Sequence, residues 1–255
     1  MLKLGLLIGI NYTGTEYELN GCINDITSVK KLLIDNKVMT ESEIISMTDN
    51  EKDDLYPSNA NIKLKLNEIE TMCNNTDREV LLVITYSGHG ASIDDENNDE
   101  LDGCDEAICP IDHEEAGFIT DDYFKKEFLD KLNRNVYLFM LFDCCHSGTI
   151  CDLRYNYKGC VNSYYEINFA NYVTYCNTVM ISGCKDDQTS ADAYINKKYQ
   201  GAMTAAFLAV FNINKTYRQI VQEMTLYLKT NKYTQIPQLS AGRRVNLDGK
   251  TILTL

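Results

Sequence analysis

Asp143-Cys144-Cys145-His146-Ser147-Gly148 follows directly on the apolar run Tyr137 to Phe142, and Tyr86-Ser87-Gly88-His89-Gly90 follows directly on Val80 to Thr85. Each run reads as a buried strand, so each reactive segment lies on the loop that leaves one. In an open α/β sheet, ligands collect outside the carboxyl ends of parallel strands. A thiol and an imidazole at two such ends therefore fall in one cleft. There a thiolate attacks a carbonyl carbon, and the histidine takes the thiol proton or protonates the leaving amine. That is the chemistry of peptide-bond hydrolysis through a covalent intermediate.

Strand alternation chooses between the two cysteines. Side chains change face at every residue, so Asp143 and Cys145 share one face while Cys144 points with Phe142 and Met140. Cys144 then packs as a small hydrophobe, and Cys145 is the candidate nucleophile. Two buried core cysteines are the competing reading, and the Ser87-Gly88-His89-Gly90 turn at a second strand end weighs against it. Of the three histidines, His146 adjoins Cys145, which directs its ring elsewhere, and His113 lies in an acidic loop. His89 is the candidate proton partner. Backbone amides around Gly90 and Cys145 are the candidate donors to a developing oxyanion.

These residues need a scaffold, and the pattern supplies one. Strands are expected at Leu4–Ile10, Ile44–Met47, Val80–Tyr86, Val136–Phe142 and Val179–Ser182. Helical stripes fall at Asn24–Asn36, at Asn59–Cys73 with Asn59 as N-cap, at Asp121–Leu132 after Thr120, and at Tyr217–Lys229. Strands alternating with helices predict an α/β fold, a mostly parallel sheet covered on both faces. Asp94–Glu106 and Cys151–Cys176 lack periodicity and read as irregular excursions.

The 255 residues suit a single α/β unit, with three prolines, no low-complexity tract and no repeat. A formal charge of −13 argues against nucleic acid, whose phosphates demand the opposite sign. Leu4–Ile10 is too short for a signal peptide and lacks a small-residue cleavage site. No stretch approaches a membrane span. Ten cysteines without an export signal point to reduced thiols in a cytoplasmic compartment. No Cys-x-x-Cys pair occurs, which argues against a structural zinc site.

Further segments carry a family likeness. They are Gly9-Ile10-Asn11-Tyr12, Leu19 to Asp25, Tyr86 to Gly90, Asp102 to Glu106, Asp143 to Gly148, Ser182 to Asp192, Gly201-Ala202-Met203-Thr204 and Pro237 to Ser240. In this order they resemble a type I metacaspase, one of the caspase-like cysteine peptidases, across nearly the whole chain. The resemblance implies a caspase-like fold in one catalytic domain over 1–255. A large-subunit-like part would span about 1–190 and a small-subunit-like part about 200–255. Two departures stand out: the resemblance leads one to expect a Pro/Gln-rich amino-terminal extension where the first core strand is expected from residue 2, and Cys104 stands where an aromatic is common.

The resemblance also implies a dyad of His89 with Cys145, a monomer, and cleavage of protein substrates after Arg or Lys. A basic side chain calls for paired carboxylates at the bottom of its pocket. Asp143 shares the face of Cys145, and the resemblance assigns Asp143 and Asp25 to the pocket, with Cys22 and Ser87 on its walls. By itself Asp25 could equally stabilise a helix N-terminus. Eight carboxylates lie between Asp94 and Glu106, and as composition alone they make a solvated loop. The resemblance instead implies Ca²⁺, held by Asp105, Asp121, Asp122 and Asp152. It implies self-cleavage where the family divides its two portions, so a cut is expected after Lys197 or Lys198, with Arg154 and Lys158 as second choices. The same lysines could be plain solvated loop residues. A catalytically silent scaffold or decoy is the competing function; such a protein typically lacks the cysteine or the histidine, and both are here.

Overall fold

The computed structural model describes residues 1–94, 104–144, 150–158, 165–167, 173–184, 192–195 and 198–255. In chain order the strands are β1 (Leu2–Gly9), β2 (Ile44–Thr48), β3 (Val80–Ser87), β4 (Gly90–Asp94), β5 (Cys104–Ile108), β6 (Ile119–Thr120) and β7 (Val136–Asp143). They continue with β8 (Tyr155–Lys158), β9 (Glu166–Ile167), β10 (Asn177–Cys184), β11 (Asp192–Ile195), β12 (Lys198–Gly201) and β13 (Ile236–Ala241). The α-helices are α1 (Cys22–Asp35), α2 (Asn59–Asn74), α3 (His113–Ala116), α4 (Ala202–Val210) and α5 (Tyr217–Thr230).

The main sheet runs β2-β1-β3-β7-β10-β13-β8-β9. Its first five strands are mutually parallel, and the last three join antiparallel. Alternate residues of one strand enter opposite cores. Leu82, Ile84, Leu138, Met140 and Phe142 meet the α2 face, whereas Leu81, Val83, Phe139 and Leu141 meet the face covered by α1, α4 and α5. Burial on both faces explains why these strands read as continuous apolar runs. Each such Leu or Phe, fully buried, contributes about 1.5–3 kcal/mol.

The expected strands and helices are present, with local differences. Ser58, not Asn59, caps α2, its Oγ accepting from Asn61 N at 3.2 Å. Asn59 instead buries its amide, donating to the carbonyls of Ala116, Gly117 and Phe118. The stretch expected as one helix from Asp121 is a π-helix over Tyr123–Phe128 and then a 3₁₀ turn over Leu129–Lys131. The wider turn brings Phe124, Phe128 and Leu129, four and five residues apart, into one core. The acidic excursion is bounded by the β4–β5 hairpin, which pairs Gly90–Asp94 with Cys104–Ile108; residues 95–103 lie outside the described residues. The second excursion supplies β8 and β9 to the main sheet. No helix among the described residues is long and apolar enough to cross a membrane.

Candidate active site

Gly9, Ser87 and Asp143 stand in register at the carboxyl ends of β1, β3 and β7. The loop after β1 leads into α1, the turn after β3 carries His89, and the end of β7 carries Cys144. Cys144 is buried among Met140, Phe142 and Ile150, on the face that strand alternation assigns to it. Cys145, like His146, lies outside the described residues. Asp143 points to the opposite, α4 side of the sheet, where its carboxylate meets Thr204.

His89 is partly exposed, and its Nε2 lies 2.8 Å from the carbonyl of Tyr17. A carbonyl only accepts, so Nε2 carries the proton and Nδ1 keeps the lone pair. Nδ1 is therefore the nitrogen able to take a thiol proton, and Tyr17 O orients the ring. The Tyr12 ring packs against His89 at a centroid distance of 4.8 Å. The competitor His113 opens α3, with Nδ1 3.0 Å from Pro110 O and its ring against Phe118 and Tyr17. It buttresses the loop behind His89. Sequence reasoning missed Tyr17 altogether, since a backbone carbonyl carries no residue-type signal.

Asp25 and Asp143 come together although different elements carry them. Both are buried, at 1% and 2% exposure. Asp25 accepts the Ser87 hydroxyl at 2.8 Å, and the amide of Gly201 lies 3.1 and 3.0 Å from its two oxygens. Asp143 Oδ2 accepts the Thr204 amide at 2.7 Å and so caps α4, which has no side-chain cap of its own. The carboxylates face each other across Gly201. A Cβ built there would collide with Asp143 Oδ2 and lie 2.9 Å from Asp25 Oδ2, so only glycine fits. Cys22 is buried one helical turn before Asp25. The space between Asp25, Ser87, Leu141 and Thr204 is too small for a water molecule. Thr85 Oγ1, on the wall of that space, is buried without a hydrogen-bond partner. Asp25 and Asp143 are thus brought together at Gly201, and the space beside Asp25 is closed.

The carboxylates named for calcium lie around β5 and β6. Asp121 is fully buried; its Oδ2 accepts Glu106 N at 2.9 Å and its Oδ1 accepts Asp122 N at 2.8 Å. Burial chiefly, against the help of the Glu106 amide and with the added charge of Asp152, pushes the Asp121 carboxyl up to about 8. Asp105 and Asp152 are buried as well, Asp152 at a positive φ of 48°. Asp122 is turned to Lys126, at 2.7 Å. Among the described residues no three His, Cys, Asp or Glu side chains are grouped to hold a metal ion. The donor type and the burial of Asp121 within reach of the Asp152 charge suit a hard divalent cation; the ligand shell is not assembled.

The expected cleavage segment is not a plain loop. β11 and β12 form a hairpin pairing Ile195 with Lys198, and Lys197, between them, lies outside the described residues. β12 lies along α1: Asn24 donates to Tyr199 O at 3.0 Å and Lys198 Nζ to Ser28 Oγ at 2.8 Å. The connecting pair Asn196-Lys197 lacks the glycine that usually announces a two-residue hairpin, so the sequence hides these strands. Arg154 lies just before β8, and Lys158 ends it.

A parallel sheet continued by antiparallel strands, with histidine and cysteine segments on neighbouring strand ends, defines a caspase-like α/β protein. A solved structure of a Geobacter sulfurreducens protein matches all of this chain and 99% of its own, with a TM-score of 0.68 at 19% identity, a likeness of fold alone. Residues 3–154 match the family described as metacaspase, peptidase C14 domain. Metacaspase-1A of Neurospora crassa is 33% identical over 96% of this chain and 64% of its own length. Metacaspase-1 of Candida albicans is 33% identical over 96% and 66%, and that of Schizosaccharomyces pombe 31% identical over 98% and 70%. The chain belongs to the metacaspase family, as a type I member. It spans just under two thirds of the length of the first two relatives.

Proposed function

We propose that this chain is a cysteine endopeptidase that cleaves proteins after Arg or Lys. Cys145 is the nucleophile and His89 the proton partner through Nδ1. The observation that carries the substrate class is the convergence of Asp25 and Asp143, with Ser87, at the strand ends that bear the reactive segments. Two buried carboxylates facing one side-chain position are suited to one basic side chain. The orphaned Thr85 hydroxyl beside them gives the pocket a further polar group that an incoming guanidinium or ammonium could satisfy. Hydrolysis of Arg-, Lys- and Asp-terminated fluorogenic peptides tests this reading. Cleavage after Asp with none after Arg would reject the acidic pocket.

The closed pocket describes a resting form. The Gly201 and Thr204 amides hold the place a substrate side chain needs, so activity requires the β12–α4 junction to withdraw. We propose that Ca²⁺ favours that change, held by Asp121 and Asp152 with Asp105 on the adjacent strand. Binding there would replace the proton that burial and the Asp152 charge keep on Asp121, so that both carboxylates are ionised together; the residues of the cleft do the chemistry. Because the ligands come from separate segments, activation is expected at roughly 10⁻⁴–10⁻³ M calcium, with magnesium a poor substitute. Asp121→Asn with Asp152→Asn should abolish both activation and the calcium-induced rise in melting temperature. Full activity in chelator, unchanged by calcium, would remove the regulatory role.

Self-cleavage belongs to the same reading. A cut after Lys197 or Lys198 opens the β11–β12 hairpin and frees the strand that carries Gly201 onto the two carboxylates. Mass spectrometry of the calcium-treated protein should find that boundary, absent from the Cys145→Ala variant. A boundary elsewhere, or the same one in the cysteine variant, refutes self-cleavage here. Protein substrates fit the family; the chain's charge gives no platform for nucleic acid.

A further inference from the structure

Beneath His89 lies a pair of phenols that the proposed chemistry does not use. Tyr12 and Tyr86 are both buried, at 0% and 1% exposure, and their hydroxyl oxygens lie 3.1 Å apart. They come from different strand ends, Tyr12 from the loop after β1 and Tyr86 from the end of β3. Each holds one side of the same residue's backbone. The His89 amide donates to Tyr12 Oη at 3.0 Å, and the His89 carbonyl accepts from Tyr86 Oη at 2.7 Å. Tyr12 Oη donates onward to Cys109 O at 2.6 Å, while the Cys109 amide donates to His89 O at 3.2 Å. The two hydroxyl protons thus serve two carbonyls, and the backbone of His89 is held on both its donor and its acceptor.

Two features show that this arrangement constrains the chain. Tyr12 sits at φ 52°, a left-handed conformation that is strained for a non-glycine residue and persists only where the surroundings fix it. Gly88 is required for a separate reason: a Cβ there would lie 2.6 Å from Tyr86 Oη and 3.1 Å from Tyr12 Oη. The glycine of the Ser87-Gly88-His89-Gly90 turn is therefore the space that lets the phenols reach the histidine backbone. Burial raises both phenols well above their ordinary range, so both are neutral donors near neutral pH.

We propose that Tyr12 and Tyr86 are positioning residues for His89, a hydroxyl clamp that sets where Nδ1 points. The inference rests on the reading of His89 as the proton partner. Tyr12 adds its ring face, which with Tyr17 O fixes the imidazole plane. A small rotation of the turn would carry Nδ1 away from the carboxyl end of β7; Tyr86 borders the closed space beside Asp25, but its ring is turned into the opposite core against Phe142. The clamp therefore acts on the chemical step and leaves substrate binding alone.

The test uses Tyr12→Phe and Tyr86→Phe in the full chain, since each removes one oxygen and keeps the ring. Steady-state hydrolysis of an Arg-terminated peptide should show kcat reduced about 10- to 100-fold with KM within about twofold, the size expected for an Ångström-scale misplacement. The double variant should be little worse than the weaker single one, because both hydroxyls hold one residue's backbone. Iodoacetamide alkylation of Cys145 followed against pH should shift its midpoint upward in both variants, since a displaced imidazole no longer takes the thiol proton. If Tyr12→Phe does not fold, Tyr86→Phe decides the matter. Wild-type kcat and an unmoved alkylation profile in the folded variants, with His89→Ala inactive, would overturn the clamp alone. An active His89→Ala would overturn the proton-partner reading and the clamp with it.

Discussion

Cys145→Ala is expected to lower peptide hydrolysis by at least about 10⁴-fold, whereas Cys144→Ala keeps most of the wild-type rate. The difference comes from strand alternation at the end of β7. Cys144 is buried in the core with Met140 and Phe142, so its loss trims packing and costs about 1 kcal/mol of stability. Alternation assigns the next residue, Cys145, to the side of Asp143. His89→Ala should fall with Cys145→Ala, because residues that act as one unit lose their effect together. Thermal melts must accompany the rates, since the expected loss in Cys145→Ala has no folding component. Equal losses in Cys144→Ala and Cys145→Ala, with both folded, would show that the facing is wrong.

The reactive segments are legible in the sequence because they end long apolar strands. Val80–Ser87 and Val136–Asp143 are buried almost throughout, so their sequences are uninterrupted and their ends conspicuous. The antiparallel half of the sheet is not legible. β13 carries Pro237, Gln238 and Ser240 among its six residues, and β9 has only two. Neither offers a period to count. Asp25 shows the same limit at the site: its first-turn position on α1 fits dipole stabilisation equally well. What distinguishes it is the Gly201 amide, 176 residues away in sequence. Tyr12 is visible as part of a family segment, yet its task depends on where a hydroxyl ends, which spacing cannot give.

Asp25→Asn and Asp143→Asn should each reduce kcat/KM for an Arg-terminated peptide by about 10²–10³-fold, within the range for breaking a buried charge pair. The new side-chain amide keeps the shape and one acceptor oxygen. In Asp143→Asn that oxygen can still accept from Thr204 N, and in Asp25→Asn from Gly201 N. What disappears is the negative charge opposite the basic side chain. The defect should therefore sit in recognition: alkylation of Cys145 by iodoacetamide, which needs no pocket, stays at the wild-type rate. A second consequence follows from the double use of these carboxylates. In the closed form they hold the Gly201 and Thr204 amides at 3.0 and 2.7 Å, and a charged acceptor makes a stronger hydrogen bond than a neutral one. Removing the charge should loosen the β12–α4 junction, so exchange of those two amides speeds up in the resting protein while Arg-peptide hydrolysis falls. Opening and recognition then move in opposite directions in one variant. An unchanged rate on Arg peptides, or an equal loss in alkylation, would mean that Asp25 and Asp143 serve the fold and not the substrate.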